Sequence, residues 1–130
     1  MSYSKRLQER ERATGRAVRV GVVGAGQMGS GLVAQINRVP GLVMSAVADI
    51  EITRAEKALA GAGAEQVTTT DDLTDAAAAI ERGESVALSN GMALTKLPLD
   101  VIVEVSGVPD VAAEIAYASL LAGKHTLLMT

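Results

Sequence analysis

From Ala17 onward, short apolar runs alternate with helical periods along the chain. Val18–Val23 (VRVGVV) is apolar except for Arg19, the pattern of a strand covered on both faces. Met28, Leu32, Ile36 and Val39 then recur at helical spacing until Pro40-Gly41 stops the helix. Leu42–Ala48 (LVMSAVA) predicts a second strand ending at Asp49, and Ile52, Ala55 and Leu59 outline a second helix closed by Gly61 or Gly63. Thr70-Asp71-Asp72 opens a third helix with acidic groups at the positive end of its dipole. Leu73, Ala76 and Ile80 form the expected buried face of that helix, and Gly83 ends it. Val86–Leu88 reads as a short strand, Val67–Thr69 as a weaker one, and Asp100–Val105 (DVIVEV) as the clearest strand after the first. Pro109 suits a helix first turn, where its missing N–H costs nothing. Val111, Ile115, Ala118 and Leu121 carry that helix to Gly123, and Thr126–Met129 forms a last strand.

This alternation predicts an α/β chain: a Rossmann-type, doubly wound parallel sheet with right-handed crossovers and helices on both faces. Five or six strands are expected in the order 3-2-1-4-5, with Asp100–Val105 inside the sheet. Residues 2–14 (SYSKRLQERERAT) read as a charged helix whose apolar stripe, Tyr3 and Leu7, is too thin for a core of its own. The chain therefore divides into an N-terminal basic helical arm, residues 1–16, and a Rossmann domain, residues 17–130.

Composition sharpens the picture. The 130 residues are 48% hydrophobic yet contain no Phe or Trp, so the core must be built from Val, Leu, Ile, Met and Ala in close helix-on-sheet packing. The net charge of −3 conceals an asymmetry, because residues 1–19 carry six basic groups against Glu9 and Glu11 and so leave −7 on the remainder. That balance argues against nucleic acid as a partner of the main body. With no cysteine there is no disulfide, thiolate metal site or thiol nucleophile. No apolar run reaches membrane-spanning length and the basic N-terminus lacks an apolar signal segment, so the expectation is a cytoplasmic protein with no membrane partner.

The chemistry begins at Gly24, Gly26 and Gly29, spaced G-x-G-x-x-G between the first strand and the first helix. Such a motif alone says little; here it follows a buried strand, opens a helix, and precedes an acid, Asp49, at the end of the next strand. Gly24 would make the tight turn, Gly26 would let a pyrophosphate approach the backbone, and Gly29 would let helix and strand pack closely. The N–H groups of the helix start, at Gly26, Gln27, Met28 and Gly29, would face the pyrophosphate, and Asp49 would accept a ribose diol. A methyltransferase would carry a carboxylate just ahead of the first glycine, where this chain has Val22-Val23. A dinucleotide, NAD or NADP, is the expected cofactor. Asp49 and Glu51 oppose a 2′-phosphate and lean the choice to NAD, against the single cation Arg54 on the next helix.

From Arg19 to Thr130 the sequence resembles the NAD(P)-binding domain of the homoserine dehydrogenase-like oxidoreductases. Three segments carry the likeness: VGVVGAGQMG, DVIVEVSGVPD and LLAGKHTLLMT. The basic arm followed by GVVGAGQMGSGLVAQ looks most like the branch that joins this domain to a C-terminal SAF domain, some of whose members resemble a deoxyxylulose-phosphate reductoisomerase. The resemblance implies that the small-residue turn after Glu104, at Ser106 and Gly107, runs past the nicotinamide. It also implies that the catalytic lysine stands beyond the fifth strand on a substrate domain, and the chain reaches Thr130 before any such residue. Lys124 reads as a solvated charge at a helix-to-strand turn, and His125 as a structural residue opening the last strand. Glu104, inside an apolar strand, is costly to bury unless paired and reads as a brace for the cofactor loop. The expected function is thus the cofactor-binding part of an oxidoreductase, with no catalytic and no metal-ligating residue of its own. Its partners are the dinucleotide and a C-terminal substrate domain, with homo-oligomerisation left open; the alternative is a non-catalytic module that senses a dinucleotide.

Overall fold

Six parallel strands line up in the order β3-β4-β2-β1-β5-β6 in a computed structural model that describes Lys5, Arg6, Glu9, Arg12 and residues 15–130. They are β1 (Val18–Val23), β2 (Leu42–Ala48), β3 (Val67–Thr69), β4 (Ser85–Leu88), β5 (Val101–Glu104) and β6 (His125–Leu128). The order 3-2-1-4-5 expected for the five stronger strands is present, and the weak candidate Val67–Thr69 adds the outer strand β3 beside β4. β5 lies inside the sheet, paired with β1 on one side and β6 on the other. Most of the helix expected over residues 2–14 falls outside the described residues.

The helices are α1 (Gln27–Ile36), α2 (Ile52–Gly61), α3 (Leu73–Glu81) and α4 (Pro109–Leu121), with a 3₁₀ helix at Gly91–Lys96 between β4 and β5. Residues along the strands alternate between two separate cores, as the period of a strand requires, with the alternation shifting in β2 between Met44 and Ala46, where its register against β1 slips. On one face Val33 and Ile36 of α1 and Ala55, Ala58 and Leu59 of α2 pack on Val20, Val22, Met44 and Val47. On the other, Ala76, Ala79 and Ile80 of α3, Leu94, Leu97 and Leu99 of the crossover, and Ile115 of α4 cover Ala46, Ala48, Leu88 and Ile102. With strands buried on both faces the hydrophobic runs are nearly continuous, which is why they were legible. No helix among the described residues is long and apolar enough to cross a membrane.

Three apolar positions assigned to helix faces are not in the core. Met28, Leu73 and Leu121 are exposed, and Gly29, Ala79 and Ser119 are among the buried positions instead. Each of the three exposed residues stands in the first or last turn of its helix, and it is the interior turns that the sheet covers. Lys124 is a second correction. It is not a solvated charge: its half-buried Nζ donates to Leu97 O at 2.6 Å and Leu99 O at 3.1 Å. Burial pushes its pKa below the ordinary lysine value, with Asp100 pulling weakly the other way. The amine thereby pins the crossover before β5 to the start of β6. At the same end of the sheet, Arg16 forms a two-pronged pair with Asp100 at 2.7 and 3.0 Å, and the same carboxylate accepts from Arg19 N. Asp72 caps α3 by accepting from Asp75 N at 2.9 Å. Gly63, at φ +86°, rather than Gly61, makes the left-handed turn that closes α2.

Candidate functional site

β1 connects to β2 on one side, while its other neighbour, β5, is reached only later in the chain. The loops leaving β1 and β5 diverge at this point, and a parallel sheet opens a crevice there, outside the carboxyl ends of its strands. A cleft of about 610 Å³ occupies that position, with Gly24, Gly26, Asp49 and Ser106 among its lining residues. A second recess of about 450 Å³ adjoins it across Gly26 and is lined by Ala25, Gln27, Ser30, Arg54 and Lys57.

The three glycines meet three different constraints. Gly24 has φ +105°, and a Cβ there would lie 2.8 Å from Val105 O and 2.9 Å from Ser106 N, so the turn presses directly on the exit of β5. A Cβ on Gly29 would fall on the carbonyl of Gly24, which places the first turn of α1 against the loop itself. Gly26 differs. It has an ordinary extended conformation (φ −72°, ψ −163°), and a Cβ on it would meet nothing within 4 Å among the described residues. Two glycines are thus required by the protein's own packing, while the third keeps open a space that the described residues do not fill.

Gly26 is the N-cap of α1, with no side-chain cap and no acidic residue in the first turn. Ser30 N is the first amide to reach back into the helix, to Gly26 O at 2.8 Å. Helix geometry leaves the N–H groups ahead of it without intrahelical acceptors, so this end carries partial positive charge towards the two cavities. Gln27 lines the recess; Met28, 61% exposed, lines neither cavity.

Asp49 sits where the end of β2 meets the cleft, and its carboxylate is already engaged. Oδ2 accepts from Ala25 N and Oδ1 from Glu51 N, both at 2.8 Å. The acid therefore ties the glycine loop to the turn entering α2, and its remaining lone pairs are what a diol would use. Arg54 pairs with Glu51 at 3.0 Å, so its charge is answered within the same helix turn. Lys57, one turn further along α2, brings a second cation to the recess.

On the far side of β1, Ser106 lines the cleft, while Gly107, at φ +80°, lines neither cavity and donates to Thr130 Oγ1 at 3.3 Å. Glu104 is fully buried beneath them, its Oε1 accepting from Ser106 N at 2.9 Å and Ser106 Oγ at 3.0 Å. His125 opens β6 and is exposed, away from both cavities. Among the described residues no cluster of His, Cys, Asp or Glu is arranged to hold a metal ion.

The sequence reading missed one wall of the cleft, Ser89 to Met92, where the chain leaves β4. Asp71 holds this segment by accepting from Ser89 N at 2.8 Å and Ser89 Oγ at 2.7 Å, and these bonds keep its pKa below the ordinary aspartate value. Asn90 Oδ1 accepts from Met92 N at 3.0 Å and starts the 3₁₀ helix. Asn90-Gly91, a turn dipeptide following a buried strand, was the available signal. Lys57 had none: a lysine on an amphipathic helix looks like any solvated charge.

No protein-family model matches the sequence, and no curated protein matches it. Solved structures do match in fold. Myo-inositol dehydrogenase from Lactobacillus casei, in complex with NAD(H) and myo-inositol, is 22% identical with a TM-score of 0.62 over 86% of this chain and 28% of its own. Scyllo-inositol dehydrogenase from the same organism, with bound NAD(H), gives 15% identity and a TM-score of 0.64 over 87% of this chain and 28% of its own. A 3-ketoreductase from Actinomadura kijaniata, in complex with NADP, gives 21% and 0.60 over 87% of this chain and 30% of its own. The chain thus spans under a third of the length of these neighbours. What is shared at these identities is the Rossmann-type fold.

Proposed function

We propose that the cleft binds a dinucleotide, NAD or NADP, and that the chain is the cofactor-binding part of an oxidoreductase. The observation that carries this reading is Gly26: a glycine kept at a helix N-cap where neither backbone conformation nor packing needs one, facing open space at the switch point of the sheet. A pyrophosphate there would take the free N–H groups of α1, and only a residue without a side chain lets it approach that closely. Asp49 would hold the ribose of the adenosine half at the end of β2. The other half would extend across β1 to the wall at Ser106. Neighbours in fold that hold NAD(H) or NADP in their crystals support the same assignment.

The nicotinamide would supply the chemistry, as hydride acceptor from an alcohol or donor to a carbonyl. This chain's residues would bind and orient it and provide no acid or base. The homoserine dehydrogenase-like type, with a substrate domain beyond Thr130, rests on the three sequence segments that resemble that group. The domain boundary at residues 16 and 17, and the assignment of Gly24, Gly26, Gln27, Gly29, Asp49 and Ser106 to the cofactor, belong to the same proposal, while Met28 and Gly107, which line neither cavity, stand outside it. Calorimetric titration with NADH, NADPH and ADP tests it: saturable one-to-one binding of at least one dinucleotide is expected. No heat from any of the three at millimolar concentration would refute it.

A further inference from the structure

Glu104 reads from the sequence as a brace for the cofactor loop, and the structure shows what it holds and what that holding does. Its neighbours in β5, Val101 to Val103, are apolar, and across the sheet it lies between Val23 and Leu128. A valine or leucine would fit such a position without penalty, whereas a carboxylate with 0% exposure is costly unless its oxygens are bonded. Only one oxygen is. Oε2 has no partner among the described residues, while Oε1 accepts from Ser106 N at 2.9 Å, Ser106 Oγ at 3.0 Å and Thr130 Oγ1 at 2.6 Å.

The destination of those bonds shows what the acid does. Thr130 Oγ1 in turn accepts from Gly107 N at 3.3 Å, and Ser106 Oγ accepts from Val108 N at 3.2 Å. A hydroxyl can donate and accept at once, so the chains close. Three successive amides, Ser106, Gly107 and Val108, are therefore held by a single carboxylate oxygen, the first directly and the others through one hydroxyl each. Val105, Ser106 and Val108 form the wall of the cleft on the β5 side, opposite Asp49. The same network joins that wall to Thr130, just past β6.

We propose that Glu104 is a positioning residue: it fixes the β5-side wall and thereby sets how the half of the dinucleotide beyond the pyrophosphate is held. The inference rests on the dinucleotide reading and adds a residue that touches no ligand. β2 and β5 flank β1 on opposite sides, so the adenosine half at Asp49 lies away from Glu104, and the two halves are separable in an experiment.

The test compares Glu104→Met, which keeps the volume and removes the acceptor, with Glu104→Gln, which keeps an acceptor at Oε1. In the free protein, amide exchange at Ser106, Gly107 and Val108 is expected to quicken at least tenfold in Glu104→Met, with Gly24 to Gln27 unchanged. The NADH dissociation constant is expected to rise at least tenfold while that of ADP changes less than twofold, and Glu104→Gln is expected to recover most of the loss. Should Glu104→Met not fold, Thr130→Val cuts the Gly107 link alone and is expected to quicken that one amide and weaken NADH about threefold with ADP unchanged. Unaltered exchange, or equal weakening of NADH and ADP, overturns the proposal. If the unaltered protein binds neither nucleotide, the dinucleotide reading and the positioning role fall together, and the exchange measurement still decides whether Glu104 braces the wall.

Discussion

Substituting two glycines of one loop should have opposite consequences, because one is needed by the fold and the other only by a ligand. A Cβ on Gly29 would fall on Gly24 O, a contact between two backbone segments, so no side chain can swing aside to relieve it. Overpacking of this kind costs about 1–3 kcal/mol, and a rigid backbone partner puts it at the upper end. Alanine's better helix propensity returns at most about 1 kcal/mol in the first turn of α1. The net is about 2 kcal/mol, and for a domain of this size that lowers the melting temperature by roughly 7 °C. Gly26→Val meets no such obstacle: nothing among the described residues lies within 4 Å of the new Cβ, and φ −72° with ψ −163° suits a β-branched residue. Its melting temperature should fall by no more than about 4 °C, since valine is a poorer helix N-cap than glycine by about 1 kcal/mol. Binding should separate the two variants the other way. The valine stands where the pyrophosphate must lie, so NADH affinity should fall more than a hundredfold by calorimetry, while Gly29→Ala should still bind at a temperature where it is folded. Unchanged NADH affinity in Gly26→Val would show that the open space at Gly26 is not the ligand's, and the functional argument would fail with it.

Three further outcomes are expected. Asp49→Asn should move the NADPH-to-NADH affinity ratio towards NADPH by roughly fivefold, since one charge contact at a half-exposed site is worth about 1 kcal/mol; paired titrations that show no movement would mean that the carboxylate serves only Ala25 and Glu51. Lys57→Ala should weaken NADPH and leave NADH within twofold, and equal losses would place the recess outside the 2′-phosphate region. Asp71, with its pKa below the ordinary 3.8 because Ser89 donates to it, binds its proton less readily folded than unfolded. Its stabilisation is therefore complete above 3.8 and is lost as pH falls through the lowered value, so in urea unfolding the gap between the unaltered protein and Asp71→Ala should narrow below that pH.

The order of the sheet was readable because every inner strand is buried on both faces. Val18–Val23 and Leu42–Ala48 have no solvent side to encode, so each hydrophobic run is broken by a single polar residue, Arg19 or Ser45, and the helices between them dictate parallel pairing. Val67–Thr69 was faint for the opposite reason: it is an edge strand of three residues, two of them exposed, and a pattern that short carries no period. Helix faces were legible to within a turn. Met28, Leu73 and Leu121 fit the helical period as well as the buried residues do, since periodicity records which side of a helix is apolar and not how far the sheet extends beneath it. Lys124 escaped because a sequence shows a charge and not the carbonyls of Leu97 and Leu99 that draw it in.

The candidate site divides along a similar line. Gly24 and Gly29 are legible because a backbone constraint leaves its mark on residue type: only glycine tolerates φ +105° at Gly24 or the contact at Gly29, whereas Gly26 and Asp49 are legible only through their spacing from those two. Side-chain contacts leave a weaker mark. Asp71 reaches Ser89 across 18 positions and Glu104 reaches Thr130 across 26, and both are common residues whose partners are set by the fold and not by spacing. Glu104 announces itself as an acid in an apolar strand and reads as a brace for the cofactor loop, but the sequence does not show which groups it is bonded to. The structure supplies the partners, and they change the argument about the site. Asp49 holds the loop on one side of β1 and Glu104 holds the wall on the other, so both edges of the cleft are fixed by carboxylates bonded to backbone amides before any ligand arrives. A cleft held in this way keeps its donors oriented in the free protein, and a ligand that enters it need not order the loops around it.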